Sequence, residues 1–275
     1  MKVAIIGGGI SGLATAFYIK RLSPATQITV YEKEDRFGGK LQTDKKTGFT
    51  VESTAMGIST EDNDVSSFLS EFNISLLEQD EVSKAKFIFD KKKFFRFPQT
   101  TKELFSSPLF GLSQKISLFF EKFRSVGRDK KDETLFAFGQ RRFGKGFAET
   151  ILDGYATAIY AATPDKLSVE SAFSKLKFLE KEYGSVLKGA KELEKTPPKG
   201  SYVGFEGGVS SFIDALSDGF NFSKKLGIEV LSVVKNSNGW IVESEEGTTF
   251  YDKVVISTPS FVTSRLLKDD VELSE

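Results

Sequence analysis

The chain has 275 residues, of which 39% are hydrophobic, enough to bury one large core or two smaller ones. Its 38 basic and 38 acidic residues cancel, which disfavours a globally basic nucleic-acid-binding protein. It contains no cysteine and no histidine, so disulfides, iron–sulfur clusters, Ser-His-Asp triads and imidazole or thiolate metal sites are excluded. We therefore expect no metal site, and redox chemistry would require a bound cofactor. No apolar run reaches the roughly 18 residues of a membrane span.

The N-terminal segment has the order strand, glycine turn, helix, strand and acid. Lys2–Ile6 is a short apolar run typical of a buried parallel strand. The spacing Gly7-x-Gly9-x-x-Gly12 then opens a predicted helix that ends before Pro24. A second strand is predicted over Gln27–Tyr31, and Glu32 stands at its end. This order predicts a dinucleotide-binding unit, whereas the glycines alone would indicate only a glycine-rich turn.

Each glycine of this turn has its own expected role. Gly7 permits the tight turn, Gly9 lets a pyrophosphate approach the backbone, and Gly12 lets the helix pack close to the strand. The phosphates would lie on free N–H groups at the start of the helix, where the helix dipole favours anions. Glu32 is placed to accept hydrogen bonds from ribose hydroxyls, and an acid there argues against recognition of a 2′-phosphate.

A second glycine pair follows in Arg36-Phe37-Gly38-Gly39-Lys40. Gly-Gly by itself would support only a turn between Glu34 and Leu41. With the preceding Asp35, however, the segment resembles the second fingerprint of the FAD-dependent amine oxidase and protoporphyrinogen oxidase superfamily. The resemblance implies FAD rather than a nicotinamide, with the paired glycines running beside the pyrophosphate and the flavin.

Later segments, in the same order along the chain, resemble the oxygen-dependent protoporphyrinogen oxidase family. They are Asp132–Gly144, Tyr155–Ser168, Glu180–Gly189, Phe205–Phe212 and Val254–Pro259. The resemblance implies an α/β fold: a Rossmann-like FAD-binding domain, with helices flanking a parallel sheet, over residues 1–85 and 201–275. A mainly helical inserted domain, substrate-binding and membrane-associating, is expected over residues 86–200. Lys191–Gly200 reads as a linker. Family members continue beyond the equivalent of Glu275, so we expect a C-terminally truncated chain with an incomplete FAD-binding domain.

The resemblance also implies a reaction. The family oxidises a porphyrinogen, protoporphyrinogen IX or coproporphyrinogen III, to the porphyrin in heme biosynthesis, with the flavin as hydride acceptor and O2 as reoxidant. One alternative is a truncated, inactive or split FAD-binding remnant. A second is a flavoenzyme similar to amine oxidases or carotenoid desaturases. No catalytic side chain is assigned.

Cofactor-binding residues carry over by position from the family's motifs. They are Gly7, Gly8, Gly9, Ile10, Ser11, Gly12, Glu32, Lys33, Arg36, Gly38, Gly39, Lys40, Thr54, Ala55, Met56, Gly57 and, through its backbone, Val230. Thr54 departs from the family pattern, because a glycine is typical there. A side chain at this position is expected to hinder close approach of the backbone to the flavin ring.

A basic, phenylalanine-rich stretch lies in the predicted insert. Residues 86–125 hold ten of the 27 phenylalanines, and residues 84–131 hold 13 lysines and arginines but only four acids. A helical face is formed by Leu112, Ile116, Phe119, Phe120 and Phe123. Such a face suits either an anionic membrane surface or packing on its own domain, and the resemblance favours the membrane. Single-stranded nucleic acid is disfavoured by the zero net charge and the FAD motifs.

The expected partners are therefore a tetrapyrrole substrate, a peripheral membrane surface and a second copy in a homodimer, with no nucleic acid. The expected location is the cytoplasm, with peripheral attachment to the inner face of the cytoplasmic membrane as an option.

Two local interpretations complete the prediction. The pair Arg141-Arg142 is interpreted as a solvated helix face, with substrate contact as the alternative. Asp132 and Glu133 are interpreted as an N-cap.

Overall fold

A computed structural model describes residues 1–80, 82, 85–90, 92–127, 132–195 and 200–268. The chain divides into two compact units. Unit 1 comprises Met1–Gln79 and Lys199–Glu275, and unit 2 comprises Asp80–Pro198. The prolines of the predicted linker, Pro197 and Pro198, lie outside the described residues.

Both units mix strands and helices, which we number in chain order. The strands are β1 (Lys2–Ile6), β2 (Gln27–Glu32), β3 (Thr43–Lys46), β4 (Phe49–Glu52), β5 (Ile58–Ser59), β6 (Leu76–Glu78), β7 (Phe87–Asp90), β8 (Lys93–Arg96), β9 (Tyr202–Phe205), β10 (Ser223–Leu226), β11 (Val230–Asn236), β12 (Gly239–Ser244), β13 (Gly247–Tyr251) and β14 (Lys253–Ile256). The helices are α1 (Ile10–Leu22), α2 (Asn63–Ser70), α3 (Thr101–Ser106), α4 (Leu112–Phe119), α5 (Leu135–Phe143), α6 (Lys145–Phe147), α7 (Asp153–Tyr160), α8 (Val169–Ala172), α9 (Ser174–Tyr183), α10 (Val186–Leu193), α11 (Val209–Asp218) and α12 (Ser260–Leu266).

A four-stranded parallel sheet in the order β10-β2-β1-β14 forms the centre of unit 1. Successive side chains of a strand point to opposite faces, so β1 supplies two cores. Val3 and Ile5 pack with α1 and α11 on one face, whereas Ala4 and Ile6 pack with the antiparallel sheet β11–β13 on the other. Burial on both faces explains why β1 is a continuous apolar run, as the sequence predicts.

Two smaller antiparallel assemblies complete unit 1. The sheet β5-β9-β6 packs Val203 and Phe205 into the core that contains α1 and α11. The hairpin β3–β4 turns at Thr47 and Gly48, whose φ angles are 49° and 84°. The hairpin therefore closes through a two-residue turn, because left-handed residues at both central positions match the strand twist and let Lys45 and Lys46 pair with β4.

Unit 2 is mainly helical and also contains the hairpin β7–β8. Its core gathers apolar side chains from α3 to α10, with Leu135 and Phe138 of α5 fully buried at its centre. The hairpin contributes Ile88 to this core. In the part of the chain that the structure describes, no helix is both long and apolar enough to cross a membrane.

Candidate functional site

The glycine turn after β1 is closely packed at two of its glycines and open at the third. Gly7 adopts a φ of +105° and donates its N–H to the Tyr31 carbonyl at 2.9 Å. A Cβ on Gly12 would lie 2.0 Å from the Gly7 carbonyl oxygen, so only glycine fits at this helix–turn contact. At Gly9, by contrast, a Cβ would meet nothing within 4 Å. Two glycines thus serve the turn and Gly9 faces open space, while the predicted approach of a pyrophosphate to Gly9 stays a prediction.

Helix α1 begins at this open space without a side-chain cap. Its N-cap residue is Gly9, which carries no hydrogen-bonding side chain, and Ile10 and Ser11 form its first turn. The first N–H groups of a helix have no partner inside the helix and attract anions. The open space at Gly9 and the uncapped helix together fit a pyrophosphate.

Glu32 lies beside the turn at the end of β2, as predicted. Its side chain is buried, with 8% exposed, and one carboxylate oxygen accepts the Gly8 N–H at 2.8 Å. The other oxygen accepts the Glu34 N–H at 3.0 Å. The carboxylate is thus fixed against the glycine turn with lone pairs left to accept ribose hydroxyls.

The second glycine pair meets the first turn directly. Gly38 donates its N–H to the Gly8 carbonyl at 2.9 Å, and Gly39 lies against the Cα of Gly9. Both Gly38 and Gly39 have positive φ angles, of 108° and 56°. Gly9 and Gly38, which are 29 positions apart in the sequence, therefore lie together at the carboxyl ends of the parallel strands.

Arg36 is present at this site but its guanidinium is directed into the loop itself. Its two terminal nitrogens donate to the carbonyls of Gly39 at 2.9 Å and Leu41 at 3.2 Å, and to the Gln42 side chain at 2.9 Å. A guanidinium engaged in this way organises the loop. Arg36 therefore organises this loop, and its predicted contact with the cofactor stays a prediction.

The remaining predicted positions are more exposed. Lys33 and Lys40 are exposed, and the Lys33 ammonium lies 3.5 Å from the Glu34 carboxylate. The exposed Thr54 donates its hydroxyl to the Lys40 carbonyl at 2.9 Å, so this side chain joins two predicted cofactor segments.

The loop that follows Thr54 connects the hairpin to the sheet β5-β9-β6. Ala55 is half-buried and Met56 is 71% exposed. A Cβ on Gly57 would lie 2.1 Å from the Val203 carbonyl oxygen, which requires glycine there. Val230 begins β11 and is buried in the core that contains Ile6.

Two features of the site were missed by the sequence prediction. The Ser257 hydroxyl donates to the carbonyls of Gly7 at 2.8 Å and Ile6 at 3.1 Å, which braces the turn from β14. The Tyr31 and Tyr251 hydroxyls are hydrogen-bonded at 2.8 Å. Burial and this bond raise the pKa of Tyr31. The bracing by Ser257 could have been expected from the segment Val254–Pro259, because this segment places a hydroxyl group directly after a predicted strand.

Unit 2 overturns the interpretation of the arginine pair. Arg142 is fully buried and forms an ion pair with Glu121, which is also fully buried. Arg141 binds Glu180 at 2.6 Å and Glu133 at 2.9 Å. Neither arginine forms a solvated helix face, because both guanidinium groups are paired with carboxylates and Arg142 is fully buried.

The predicted N-cap is also wrong. Helix α5 is capped by Thr134, whose hydroxyl accepts the Ala137 N–H at 3.2 Å. Asp132 instead accepts the Ser168 hydroxyl at 2.5 Å, and Glu133 pairs with Arg141. The hydroxyl of Thr134 stands three residues before the N–H that it caps, and the two acids precede this position.

The predicted apolar face is divided between helix α4 and a 3₁₀ turn over Phe120–Phe123. Exposure of its five side chains ranges from 49% for Ile116 to 76% for Leu112. Only Leu118, which is not on this face, is buried in the core of unit 2. The alternative that this face packs on its own domain is therefore not what the structure shows.

No group of three or more acidic side chains among the described residues could hold a metal ion.

Comparison with known proteins then defines the family. Residues 10–275 match the family of flavin-containing amine oxidoreductases. The chain belongs to this family. Its cofactor is accordingly FAD, whereas the assignment of the glycine turn and Glu32 to its binding stays a prediction.

The curated relatives have more specific names. A coproporphyrinogen III oxidase of Staphylococcus aureus is 28% identical over 94% of this chain and 60% of its own length. The protoporphyrinogen oxidase 2 of Arabidopsis thaliana is 26% identical over 94% of this chain and 57% of its own length. The chain thus spans about 60% of the length of the curated relatives it matches.

Solved structures share the fold. A chain from Exiguobacterium, provisionally assigned as a protoporphyrinogen oxidase, aligns with a TM-score of 0.83 at 22% identity, covering 98% of this chain and 61% of that one. A putrescine oxidase bound to putrescine aligns with a TM-score of 0.66 at 17% identity, covering 97% of this chain and 60% of that one. The predicted α/β class with a parallel sheet is confirmed.

Proposed function

We propose that this chain contributes to the FAD-dependent oxidation of a porphyrinogen, either coproporphyrinogen III or protoporphyrinogen IX, to its porphyrin. The main support is the extent of the match. Enzymes named for these two reactions align with more than nine-tenths of this chain, so the match extends over most of both units. In this reaction bound FAD supplies a hydride acceptor that O2 regenerates.

The residues of the chain have a holding function in this proposal. The open turn at Gly9 and the start of α1 bind the pyrophosphate, and Glu32 binds the ribose. The loop Thr54–Gly57 would hold the flavin half of the cofactor. Because the chain has no imidazole and no thiol, it relies on orientation of the substrate and exclusion of water rather than on such groups.

The test is anaerobic mixing of the purified, FAD-loaded chain with substrates of different classes. Coproporphyrinogen III and protoporphyrinogen IX are each expected to bleach the flavin absorbance, and admitting O2 should then restore it with the appearance of porphyrin fluorescence. The faster of the two identifies the substrate. Bleaching by putrescine or another amine, with no response to either porphyrinogen, would overturn the proposal in favour of an amine oxidase.

A second proposed function is contact of unit 2 with an anionic membrane surface. The observation that favours it is the exposed face of α4 and the following turn. The Lys122 ammonium lies 5.0 Å from the ring centre of Phe119 and 4.9 Å from that of Phe123. Apolar rings with a lysine beside them suit the headgroup region, where the rings enter and the cation meets lipid phosphate.

Sedimentation with vesicles tests the membrane contact. We expect binding to vesicles of phosphatidylcholine with phosphatidylglycerol, and weaker binding at high salt or to phosphatidylcholine alone. Phe119→Ser and Phe123→Ser should each reduce binding. Phe49→Ser is the matched control, because Phe49 is 72% exposed but lies in unit 1. Equal loss in all three variants, or no binding by the unmodified chain, would refute the contact.

A further inference from the structure

The base of the hairpin β3–β4 is fixed by a reciprocal set of hydrogen bonds. Thr43 and Glu52 are the first and last residues of the hairpin and stand opposite each other in its register. The Thr43 hydroxyl donates to one oxygen of the Glu52 carboxylate at 2.8 Å. Thr43 follows the second glycine pair along the chain, and Glu52 directly precedes the segment that leads into the loop Thr54–Gly57.

The same pair holds the start of helix α11. The other oxygen of Glu52 accepts the Val209 N–H at 2.9 Å. The Ser210 N–H donates to the Thr43 hydroxyl oxygen at 3.0 Å, while the Thr43 N–H donates to the Ser210 hydroxyl at 2.9 Å. The N-cap of α11 is Gly208, which offers no side chain, so a carboxylate 157 residues away supplies the cap.

Gly208 makes this arrangement possible. Its φ is +90°, and a Cβ there would lie 2.3 Å from the Thr43 side chain and 2.7 Å from the Glu52 carboxylate. Glycine at position 208 is therefore required for the close approach of the hairpin base to α11.

Two further bonds extend the contact toward the cofactor segments. The Ser53 N–H donates to the Gln42 carbonyl at 2.9 Å, and the Thr54 hydroxyl donates to the Lys40 carbonyl at 2.9 Å. The exit of the second glycine pair and the entrance of the loop Thr54–Gly57 are thus held side by side. Thr54, where a glycine was expected, supplies the outermost of these bonds.

We propose that Thr43 and Glu52 are positioning residues for the flavin half of FAD, acting through the loop Thr54–Gly57. This inference rests on the proposed FAD site. Thr43 and Glu52 fix the separation between the loop and the second glycine pair. The glycine turn and Glu32, which serve the adenosine half, have no bond to either residue among those that the structure describes.

The experiment compares the affinities for FAD and for ADP, which lacks the flavin half. Thr43→Val removes the hydroxyl with little change of shape and should raise the dissociation constant for FAD about tenfold, because about two hydrogen bonds are lost. The dissociation constant for ADP should stay within about twofold. Thr43→Ser restores the hydroxyl and should restore FAD affinity.

The matched control is Thr26→Val. Thr26 is buried and hydrogen-bonds the Ser23 hydroxyl at 2.9 Å, but it precedes β2 at the opposite end of the sheet. This variant should lower the melting temperature without changing the ratio of FAD to ADP affinity. An equal loss of FAD and ADP affinity in Thr43→Val would overturn the inference, since it would show a general structural role.

A second readout does not depend on any ligand. The chain contains two methionines, Met1 and Met56, so selective ¹³C-methyl labelling gives a resolved signal from the loop. In the ligand-free chain, Thr43→Val should change the position or the line width of the Met56 methyl signal, and Thr26→Val should change neither. An unchanged Met56 signal in Thr43→Val would refute the positioning role.

The outcomes separate this inference from the proposed reaction. FAD binding without bleaching by a porphyrinogen would overturn the proposed reaction only. Absence of FAD binding by the unmodified chain would overturn both the cofactor site and the positioning of the flavin.

Discussion

The guanidinium of Arg142 forms a fully buried ion pair with the carboxylate of Glu121 in unit 2. Glu121 also accepts the Val186 N–H at 3.0 Å, and Arg142 donates to the Gly184 carbonyl at 2.9 Å. The pair therefore joins three segments that are distant in the sequence. Burying two charges is costly, and each charge is tolerated only because its partner is present.

We expect Glu121→Gln to destabilise the chain by about 3–5 kcal/mol, because it removes the carboxylate that directly pairs with the buried Arg142. The remaining counter-charge, Glu180, lies 3.6 Å from Arg142 and is already paired with Arg141. Urea unfolding measures this as a lower midpoint. The control is Glu149→Gln, since Glu149 forms an exposed pair with Lys145 at 3.5 Å. That change should cost no more than about 0.5 kcal/mol. Equal effects of the two substitutions would contradict the importance of burial.

Two alanine substitutions in the glycine turn should separate binding from folding. Gly9→Ala places a methyl group in open space, so the melting temperature should hardly change while FAD and ADP affinities fall at least tenfold through loss of pyrophosphate approach. Gly12→Ala drives a methyl group onto the Gly7 carbonyl and should lower the melting temperature itself. Calorimetry and ligand titration check both. Unchanged ligand affinity in a folded Gly9→Ala protein would show that the pyrophosphate does not bind at this turn.

Arg36 provides a third test, because its guanidinium organises the second glycine pair from within. Arg36→Met keeps the length of the side chain but removes the bonds to the Gly39 and Leu41 carbonyls. We expect faster FAD dissociation, by about tenfold, measured by stopped-flow displacement. Arg21→Met is the control, since Arg21 is half-exposed and pairs with Glu71 on the surface. A dissociation rate equal to that of the unmodified chain would leave Arg36 without a role in the site.

The dinucleotide turn could be predicted from the sequence because its determinants are local. Strand periodicity, the spacing of Gly7, Gly9 and Gly12 and the position of Glu32 all lie within 32 residues. The bonds of Arg36 could not be predicted in the same way, because a guanidinium group binds phosphate and carbonyl oxygens alike. Only the folded loop shows that the carbonyl oxygens of Gly39 and Leu41 lie within hydrogen-bonding distance of it.

Long-range partners account for the wrong interpretation of Arg142 in unit 2. The adjacent Arg141 leads to the interpretation of Arg142 as a solvated residue. The environment of Arg142 is instead set by Glu121 and Gly184, which are distant in the sequence. The cap of α11 by Glu52 likewise joins residues 157 positions apart. Neither contact has a local periodicity or motif that could identify it.

The last prediction concerns acid stability and rests on Glu133. Burial opposes ionisation of this carboxyl most strongly, but the hydrogen bond and charge of Arg141 and the contact with Lys177 together lower its pKa below the ordinary value of 4.5. A folded-state pKa below the unfolded one stabilises the fold above the unfolded pKa, and this contribution is lost as the pH falls through the folded value. The stability of the chain should therefore fall on acidification below about pH 4.5.

Glu133→Gln should lower the free energy of unfolding at pH 7 and flatten its decline between pH 4.5 and more acidic values. Urea unfolding across this range measures both effects. Glu192→Gln is the control: Lys195 lowers the pKa of Glu192 as well, but that carboxyl is exposed and its interaction is screened by solvent. A pH profile of Glu133→Gln parallel to that of the unmodified chain would show that the contacts of Glu133 with Arg141 and Lys177 do not contribute to acid stability.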